Sequence, residues 1–315
     1  MTVQKPPVKE EGLTEENTSR PNRFLLFWEH SKKDLMSVVY TILAVGLFLS
    51  IWELLGYYNV LKEPQFFRPS VIFAQTWVLT KSGEIFIHIF SSLARLLISF
   101  SLAAIFGLLI GLLMGRYKAV KAFFDPLVTF FIPIPGIAWA PLIFVWVGVE
   151  PLFSRWGLID STSWWWKFGL GNPVLIIIGT IAGIFPVIQN INMAVRTADK
   201  KLIWAAQTMG ASNNYIFRKV LLPNSLPFLF TGFKLGLARS WRTIIATEFL
   251  SAAMEGLGYF IFFNRTLETR LTRINIYVGI FVLSVVFYVI ELGLKYLERI
   301  TIEKYGMVRK GGESL

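Results

Sequence analysis

Four charged side chains lie in or at the edge of long apolar runs of this 315-residue sequence and are its strongest candidates for chemistry: Arg95, Arg239, Arg242 and Glu248. A charge at the centre of a lipid bilayer costs roughly a few kcal/mol, so charged residues kept there are candidates for function. Arg239 and Arg242 are three residues apart and share one face of a helix. We expect Arg242, together with Arg239, to attract an anion. The alternatives are pairing with Glu248 or extension of the arginine side chain to the membrane interface.

Prolines form a second group of candidates. Pro133, Pro135 and Pro141 lie in one apolar run, where they remove backbone donors and can bend or open a helix. The carbonyl groups freed in this way could line a pathway, or the prolines could shape packing alone. The chain has no cysteine, which excludes disulfides and thiolate sites. Its two histidines, His30 and His88, are far apart, and we predict no metal or cofactor on this chain.

Long apolar segments must position these residues. The sequence is 54% hydrophobic and only 16% charged, with a mean hydropathy of +0.56, whereas soluble domains carry roughly 25% charged residues. A helix crosses a bilayer with about 20 mostly apolar residues. We therefore predict an all-α integral membrane protein with about six transmembrane helices, near residues 35–60, 96–115, 126–149, 168–195, 224–252 and 274–297.

The distribution of Lys and Arg predicts the orientation of these helices. With the N-terminus inside, the segments 1–34, 116–121, 196–219 and 295–315 face the cytoplasm and hold 19 Lys and Arg, against 8 in the opposite loops 58–85, 150–167 and 255–273. Cytoplasmic loops collect basic residues, so we predict that both termini are cytoplasmic. The net charge of +11 is explained in this way, without nucleic acid as a partner. In the 150–173 loop, Trp164–Trp166 indicate an interfacial anchor or a docking surface on the outer face.

A polar and apolar segment, 198–223, separates the fourth and fifth predicted spans. Asp199 can cap a helix that runs from Lys200 to Met209, and Gly210 can end this helix in the left-handed conformation. Ser212 can cap a second helix that leads to Pro223. The sequence therefore predicts two short helices joined by a sharp bend on the cytoplasmic surface. On amphipathicity alone, they could be a linker lying on the membrane.

The spacing within this segment resembles the cytoplasmic EAA loop of ABC-transporter permeases of the binding-protein-dependent importer class. The pattern reads E-A-A, three residues, G, nine residues, I/V, one residue, L-P. Six residues fall in register with it, namely Ala205, Ala206, Gly210, Val220, Leu222 and Pro223. Trp204 stands where the family usually has Glu.

Four further stretches resemble the nitrate/sulfonate/taurine-type permeases, in the same order along the chain. They are 91–128, 131–148 ("FIPIPGIAWAPLIFVWVG"), 230–249 ("FTGFKLGLARSWRTIIATEF") and 255–261 ("EGLGYFI"). The resemblance covers residues 35–300. It implies a permease domain over this range, with cytoplasmic tails at 1–34 and 301–315, in a bacterial cytoplasmic (inner) membrane.

The resemblance also implies partners. Members of the family pair with a second permease chain, usually identical, and receive substrate from an extracytoplasmic solute-binding protein. The EAA loop forms a coupling helix that sits in a cleft of a cytoplasmic ATPase. The sequence has no G-x-x-x-x-G-K-[ST] phosphate loop, so we expect ATP and Mg on the partner ATPase. The residues implied to contact that ATPase are Trp204, Ala205, Ala206, Gly210, Ala211, Arg218, Val220, Leu222 and Pro223.

We predict a transport subunit, not an enzyme, that passes a small anion such as a sulfonate, taurine, nitrate or bicarbonate. The pathway candidates are Arg95, Pro133, Pro135, Arg239, Arg242 and Glu248. One alternative is an importer for an uncharged or aromatic nutrient, such as a pyrimidine vitamin precursor. A second alternative is a stand-alone secondary transporter. A membrane enzyme is disfavoured because the spans contain no cluster of carboxylates or histidines.

Overall fold

The structure is a computed structural model that describes residues 23–58, 60, 63, 65–147, 173–196, 200–250 and 255–304. The tryptophan-rich loop, Asp199 and the outer ends of both tails lie outside these residues. Every regular element in the described part of the chain is helical, as predicted. The helices are α1 (Arg23–Tyr57), α2 (Pro69–Ser82), α3 (Glu84–Arg116), α4 (Lys118–Phe131), α5 (Ala140–Val147), α6 (Pro173–Arg196), α7 (Lys200–Thr208), α8 (Asn213–Ile216), α9 (Leu222–Asn224), α10 (Leu226–Leu250), α11 (Leu257–Thr266) and α12 (Arg270–Lys304).

The chain divides into two compact units, Met1–Val60 and Leu61–Leu315. In the first unit, α1 is 35 residues long. Its part from Val39 to Tyr57 is long and apolar enough to cross a membrane. This agrees with the first predicted span.

The core of the second unit is the packing of α6 between α3 and α10. A glycine seam brings α3 and α6 together: Gly107, Gly111 and Gly115 face Val187, Ile191 and Val195. A β-carbon on Gly111 would lie 2.8 Å from the Ile191 Cβ atom. Small residues at four-residue spacing allow close helix approach inside membranes, where the contact comes from van der Waals packing. This seam is readable in the sequence as G-x-x-x-G-x-x-x-G, and the sequence analysis missed it.

We expect Gly111→Val to destabilise the chain, because the added side chain overlaps Ile191 and α3 cannot move without opening the seam. Overpacking of this kind costs about 1–3 kcal/mol, so thermal unfolding of the purified chain in detergent should begin several degrees lower. Gly293→Val on α12 is the matched control, since no atom other than the neighbouring backbone of α12 lies within 4 Å of its added β-carbon. Equal melting temperatures for the two variants would contradict tight packing at the seam.

Four to five of the six predicted spans have a counterpart among the described helices when length and apolar composition are the criteria. Four described helical segments are long and apolar enough to cross a membrane, namely Val39–Tyr57, Glu84–Arg116, Pro173–Arg196 and Arg270–Thr301. A fifth is possible if α4 and the segment Gly136–Val147, which meet at 96°, form one broken span. The remaining predicted span, α10, has 25 residues but carries the charges Lys234, Arg239, Arg242 and Glu248. Its length of about 37 Å still matches a bilayer.

The helix α3 begins twelve residues before the predicted second span. The prediction began at Leu96 because Arg95 interrupts the apolar run. In the structure, the first turns of α3 bury Ser91, Ser92 and Arg95 against other helices. A charged residue that has a partner inside the protein can lie within a membrane-spanning helix. Composition alone therefore placed the start of the second span too late.

Candidate functional site

A cavity of about 330 Å³ lies between the bend after α4 and one face of α10. Four of the six predicted pathway residues line it: Pro133, Pro135, Arg239 and Arg242. Phe131, Trp139, Phe185 and Thr243 complete much of the wall. Residues that are about a hundred positions apart in the sequence therefore meet at one site. The other two candidates, Arg95 and Glu248, do not line the cavity.

The prolines shape this cavity by ending α4. The helix stops at Phe131, and Pro135 has the extended backbone angles φ −57° and ψ 134° before the short 3₁₀ turn Gly136–Trp139. The Ile132 carbonyl, left without a helical partner by this break, accepts a hydrogen bond of 3.1 Å from Arg239 Nη1. The predicted bend is confirmed at Pro133 and Pro135, whereas Pro141 lies in the first turn of α5 and does not bend it. Tight packing fixes the bend, because a β-carbon on Gly136 would clash with Thr243 Oγ1.

Arg242 is held differently from Arg239. Its Nε donates to the Ala238 carbonyl of its own helix over 3.2 Å, and its side chain is exposed. Among the residues that the structure describes, no acidic side chain forms an ion pair with Arg239 or Arg242. Neither Arg239 nor Arg242 therefore pairs with Glu248, which was one of the alternatives. Two guanidinium groups at one cavity wall favour an anion, because guanidinium donors bind oxyanions through charge-assisted hydrogen bonds.

Glu248 is buried and pairs with Arg95 of α3. The Arg95 Nη1 and Glu248 Oε1 atoms are 2.5 Å apart, and the side chains are 2% and 0% exposed. Ser92 Oγ donates to the carboxylate at 2.9 Å, and the Gly258 backbone N–H donates to Oε2 at 2.9 Å. Arg95 Nη1 also donates to the Glu255 carbonyl at 2.8 Å. Buried charges need such partners, and here the partners join α3, α10 and the start of α11.

The position of this ion pair explains why the "EGLGYFI" stretch contains glycines. Gly256 has φ +130°, and its β-carbon would lie 2.5 Å from the Glu248 Cδ atom. The Gly256 N–H donates to His88 Nδ1 at 3.2 Å, and the Leu257 N–H donates to Ser92 Oγ at 2.9 Å. The backbone therefore passes directly over a buried carboxylate, where a side chain would clash. In the sequence, this stretch is distinguished only by its resemblance to the family, because the residues that require its glycines lie far away along the chain.

The segment with EAA-like spacing has the predicted bend. The helix α7 is followed by Gly210 with φ +76°, whose N–H donates to the Gln207 carbonyl at 2.9 Å. Ser212 Oγ accepts the Tyr215 N–H and caps α8. The left-handed glycine and the Ser212 cap are confirmed. Past α8, the chain continues through a π-helical turn, Phe217–Leu221, into α9.

The side chains of this segment divide into anchors and an exposed surface. Ala206 and Ile216 are buried. Trp204 is 61% exposed, Met209 80% and Tyr215 56%. Ala205 and Arg218 are also exposed, whereas Ala211, Val220, Leu222 and Pro223 are partly buried. Large apolar side chains held outward in this way are typical of a surface that another protein or the membrane covers.

Arg116 joins this segment to the end of α3, and the sequence analysis missed it. Its Nη1 donates to Asn214 Oδ1 at 3.2 Å, and its guanidinium lies 4.9 Å from the centroid of the Phe217 ring. The sequence shows only an arginine at the end of an apolar run, a pattern typical of a cytoplasmic boundary. No local signal indicates that Asn214, 98 positions away, is its partner.

We expect Arg116→Ala to loosen α8, because it removes a hydrogen bond and a cation–π contact of about 0.5–1 kcal/mol. Hydrogen exchange of the purified chain, followed by mass spectrometry, should become roughly two- to fivefold faster in peptides covering 213–221. Lys118→Ala, two residues away and exposed, removes the same charge and should leave these peptides unchanged. Unchanged exchange in Arg116→Ala would show that Arg116 does not hold α8.

Comparison with known proteins gives a consistent set of matches. Residues 103–301 match the family described as binding-protein-dependent transport system inner membrane component. The taurine transport system permease protein TauC of Escherichia coli is 29% identical over 70% of this chain and 72% of its own length. The bicarbonate transport system permease protein CmpB of Synechocystis sp. is 24% identical over 87% of this chain and 91% of its own length. In fold, the chain is similar to an inward-facing structure of the MetNI methionine ABC transporter, with a TM-score of 0.52, 22% identity and coverage of 71% of this chain and 96% of that one.

Proposed function

Because the chain belongs to the binding-protein-dependent transport system inner membrane components and is an ABC importer permease, we propose that it provides the pathway for a small anionic nutrient. Its relatives are permease subunits, so the chain is a transport subunit and not an enzyme. The taurine and bicarbonate permeases among them are named for anions or zwitterions with an acidic group. The nutrient proposed here is of the same kind, a sulfonate, taurine, nitrate or bicarbonate.

The observation that carries this proposal is the cavity with Arg239 and Arg242. Two arginines without an acidic partner among the described residues are costly at bilayer depth unless an anion or water meets them. The neighbouring helix end adds the polar Ile132 carbonyl, which orients Arg239. A positively charged cleft raises the local concentration of anions. Both arginines lie on the exposed face of α10, where a second permease chain would close the pathway.

The partners follow from the same family. We assign the exposed surface around Trp204, Met209 and Tyr215 to a cytoplasmic ABC ATPase, which binds ATP and Mg. A solute-binding protein delivers the nutrient at the outer face, and a second permease chain, taken to be identical, completes the pathway. The multi-pass chain then lies in the bacterial inner membrane with both termini in the cytoplasm. The excess of Lys and Arg in the segments on that side supports this orientation.

A second nutrient class has support in the cavity wall. The Phe131 and Phe185 rings are stacked with their centroids 5.8 Å apart, and the centroids of the Trp139 and Phe131 rings are 5.5 Å apart. Aromatic walls bind flat, uncharged rings as well as the apolar part of an organic anion. An uncharged aromatic nutrient, such as a pyrimidine vitamin precursor, is therefore the alternative substrate of the same machine.

Reconstitution tests the proposal. The tagged chain is purified in mild detergent with its associated proteins and is placed in liposomes that contain ATP and Mg. The solute-binding protein of the same transport system is added outside with labelled taurine, bicarbonate or nitrate. ATP-dependent uptake of one anion supports the proposal. Uptake by the chain alone, driven by an ion gradient, would support a stand-alone secondary transporter instead. Uptake of an uncharged pyrimidine only would favour the alternative nutrient.

A further inference from the structure

The helix α10 carries the cavity arginines and the buried Glu248 on different faces. Successive residues of an α-helix are rotated by about 100°, so Glu248 points about 180° away from Arg239 and about 120° away from Arg242. The rotation of α10 about its own axis therefore determines two things together, the contact of Glu248 with α3 and the position of the two arginines at the cavity. When Glu248 is held against α3, the two arginines face the cavity.

The contacts of Glu248 are strong and come from different directions. Arg95 and Ser92 approach from α3, and the Gly258 N–H approaches from the start of α11. A rotation of α10 would leave the carboxylate buried without these donors, which is unfavourable inside a protein. Further along α10, Ser240 Oγ donates to the Gly179 carbonyl of α6 at 2.8 Å. This bond steadies the middle of the helix but supplies no charged contact.

We propose that Glu248 is a positioning residue, which Arg95 and Ser92 hold in the one orientation of α10 that directs Arg239 and Arg242 into the cavity. This inference rests on the proposed function, because it gives the arginines a role in the pathway. It also separates the six pathway candidates into two groups. In the first group, Arg239 and Arg242 form the cavity wall together with Pro133 and Pro135. Arg95 and Glu248 act on that wall through the helix.

The test uses thiol labelling, because the chain has no cysteine of its own. Arg242→Cys places a single thiol at the cavity, and Arg239 remains to supply positive charge. The full-length chain in detergent is treated with an anionic and a cationic methanethiosulfonate of similar size. The ratio of the two labelling rates is divided by the same ratio at Met209→Cys, a remote and exposed position. We expect a normalised anion preference of about tenfold for the thiol at position 242.

The double variant Arg95→Gln/Glu248→Gln is then introduced into the Arg242→Cys chain. It removes the ion pair without changing the net charge, so a change in the overall charge of the chain cannot account for a change in the ratio. We expect the anion preference to fall by about threefold or more. If the double variant does not reach the membrane, Ser92→Ala supplies a milder test, since it removes one donor to Glu248. Its expected change is smaller and in the same direction.

Asn275→Leu controls for general loosening of the fold. It breaks the hydrogen bonds of Asn275 with Gln75 and Asn264, which join α2, α11 and α12 but do not involve α10. We expect it to lower the melting temperature and to keep the anion preference of the thiol at position 242. An unchanged preference in the folded double variant, or an equal loss in Asn275→Leu, would overturn the positioning role alone. Absence of any anion preference in the parent Arg242→Cys chain would instead overturn the anion cavity, and the inference with it.

Discussion

Replacing Arg242 with glutamine is expected to reduce ATP-dependent anion uptake by roughly tenfold to a hundredfold. The side chain lies at the cavity, is exposed, and has no acidic partner among the described residues. A hydrogen bond to a charged group contributes about 1.5–3 kcal/mol. The variant would lose this contribution to the binding of the anion as it passes through the cavity. Uptake of the labelled anion is measured in liposomes that contain equal amounts of the wild-type or variant complex.

Two comparisons make this result specific. Arg242→Lys keeps the positive charge but loses the planar donor geometry, and it should retain more uptake than Arg242→Gln. ATP hydrolysis by the complex should change less than uptake, because the cavity is distinct from the exposed surface of α7 and α8. Undiminished uptake by Arg242→Gln at normal membrane levels would argue against an anion pathway at this cavity.

Replacing Gly210 with proline is expected to abolish assembly with the ATPase. Gly210 has φ +76°, whereas the proline ring holds φ near −65°. Proline also removes the N–H that donates to the Gln207 carbonyl. The end of α7 must therefore change, and Trp204 and Tyr215 lose the relative placement that a partner surface would recognise. The measurement is a pull-down of the tagged chain in mild detergent, with the ATPase quantified by mass spectrometry.

Gly210→Ala separates the effect of conformation from that of bulk. No atom beyond its two chain neighbours lies within 4 Å of the added β-carbon, so the variant introduces no clash with the rest of the structure. It incurs only the cost of a left-handed alanine, about 1–2 kcal/mol, and it should lower ATPase recovery without abolishing it. A wild-type chain that retains no ATPase, together with identical behaviour of Gly210→Pro, would indicate that the segment is a surface linker.

The local features of the coupling segment followed from the sequence because each depends on neighbouring residues. The left-handed conformation at Gly210 needs only a residue without a β-carbon. The cap at Ser212 needs only a hydroxyl three positions before the Tyr215 N–H. The break after Phe131 has the same local character, because Pro133 and Pro135 lack a backbone donor. Apolar composition placed the chain in the membrane class, because about 20 apolar residues suffice to cross a bilayer.

The start of the second predicted span and the roles of the charges depended on partners that are far away in the sequence. Hydropathy began the second span at Leu96, whereas the helix begins at Glu84 and includes Arg95, whose charge is paired with the buried Glu248. Hydropathy also does not predict that Glu248 forms its ion pair with Arg95, 153 positions away, and not with Arg242 on its own helix. Burial, helix rotation and long-range pairing decide which charge is neutralised and which remains open to a ligand. The sequence alone therefore identified the family, the bend and the candidate residues, and the tertiary structure separated the arginines of the cavity wall from the ion pair that holds their helix.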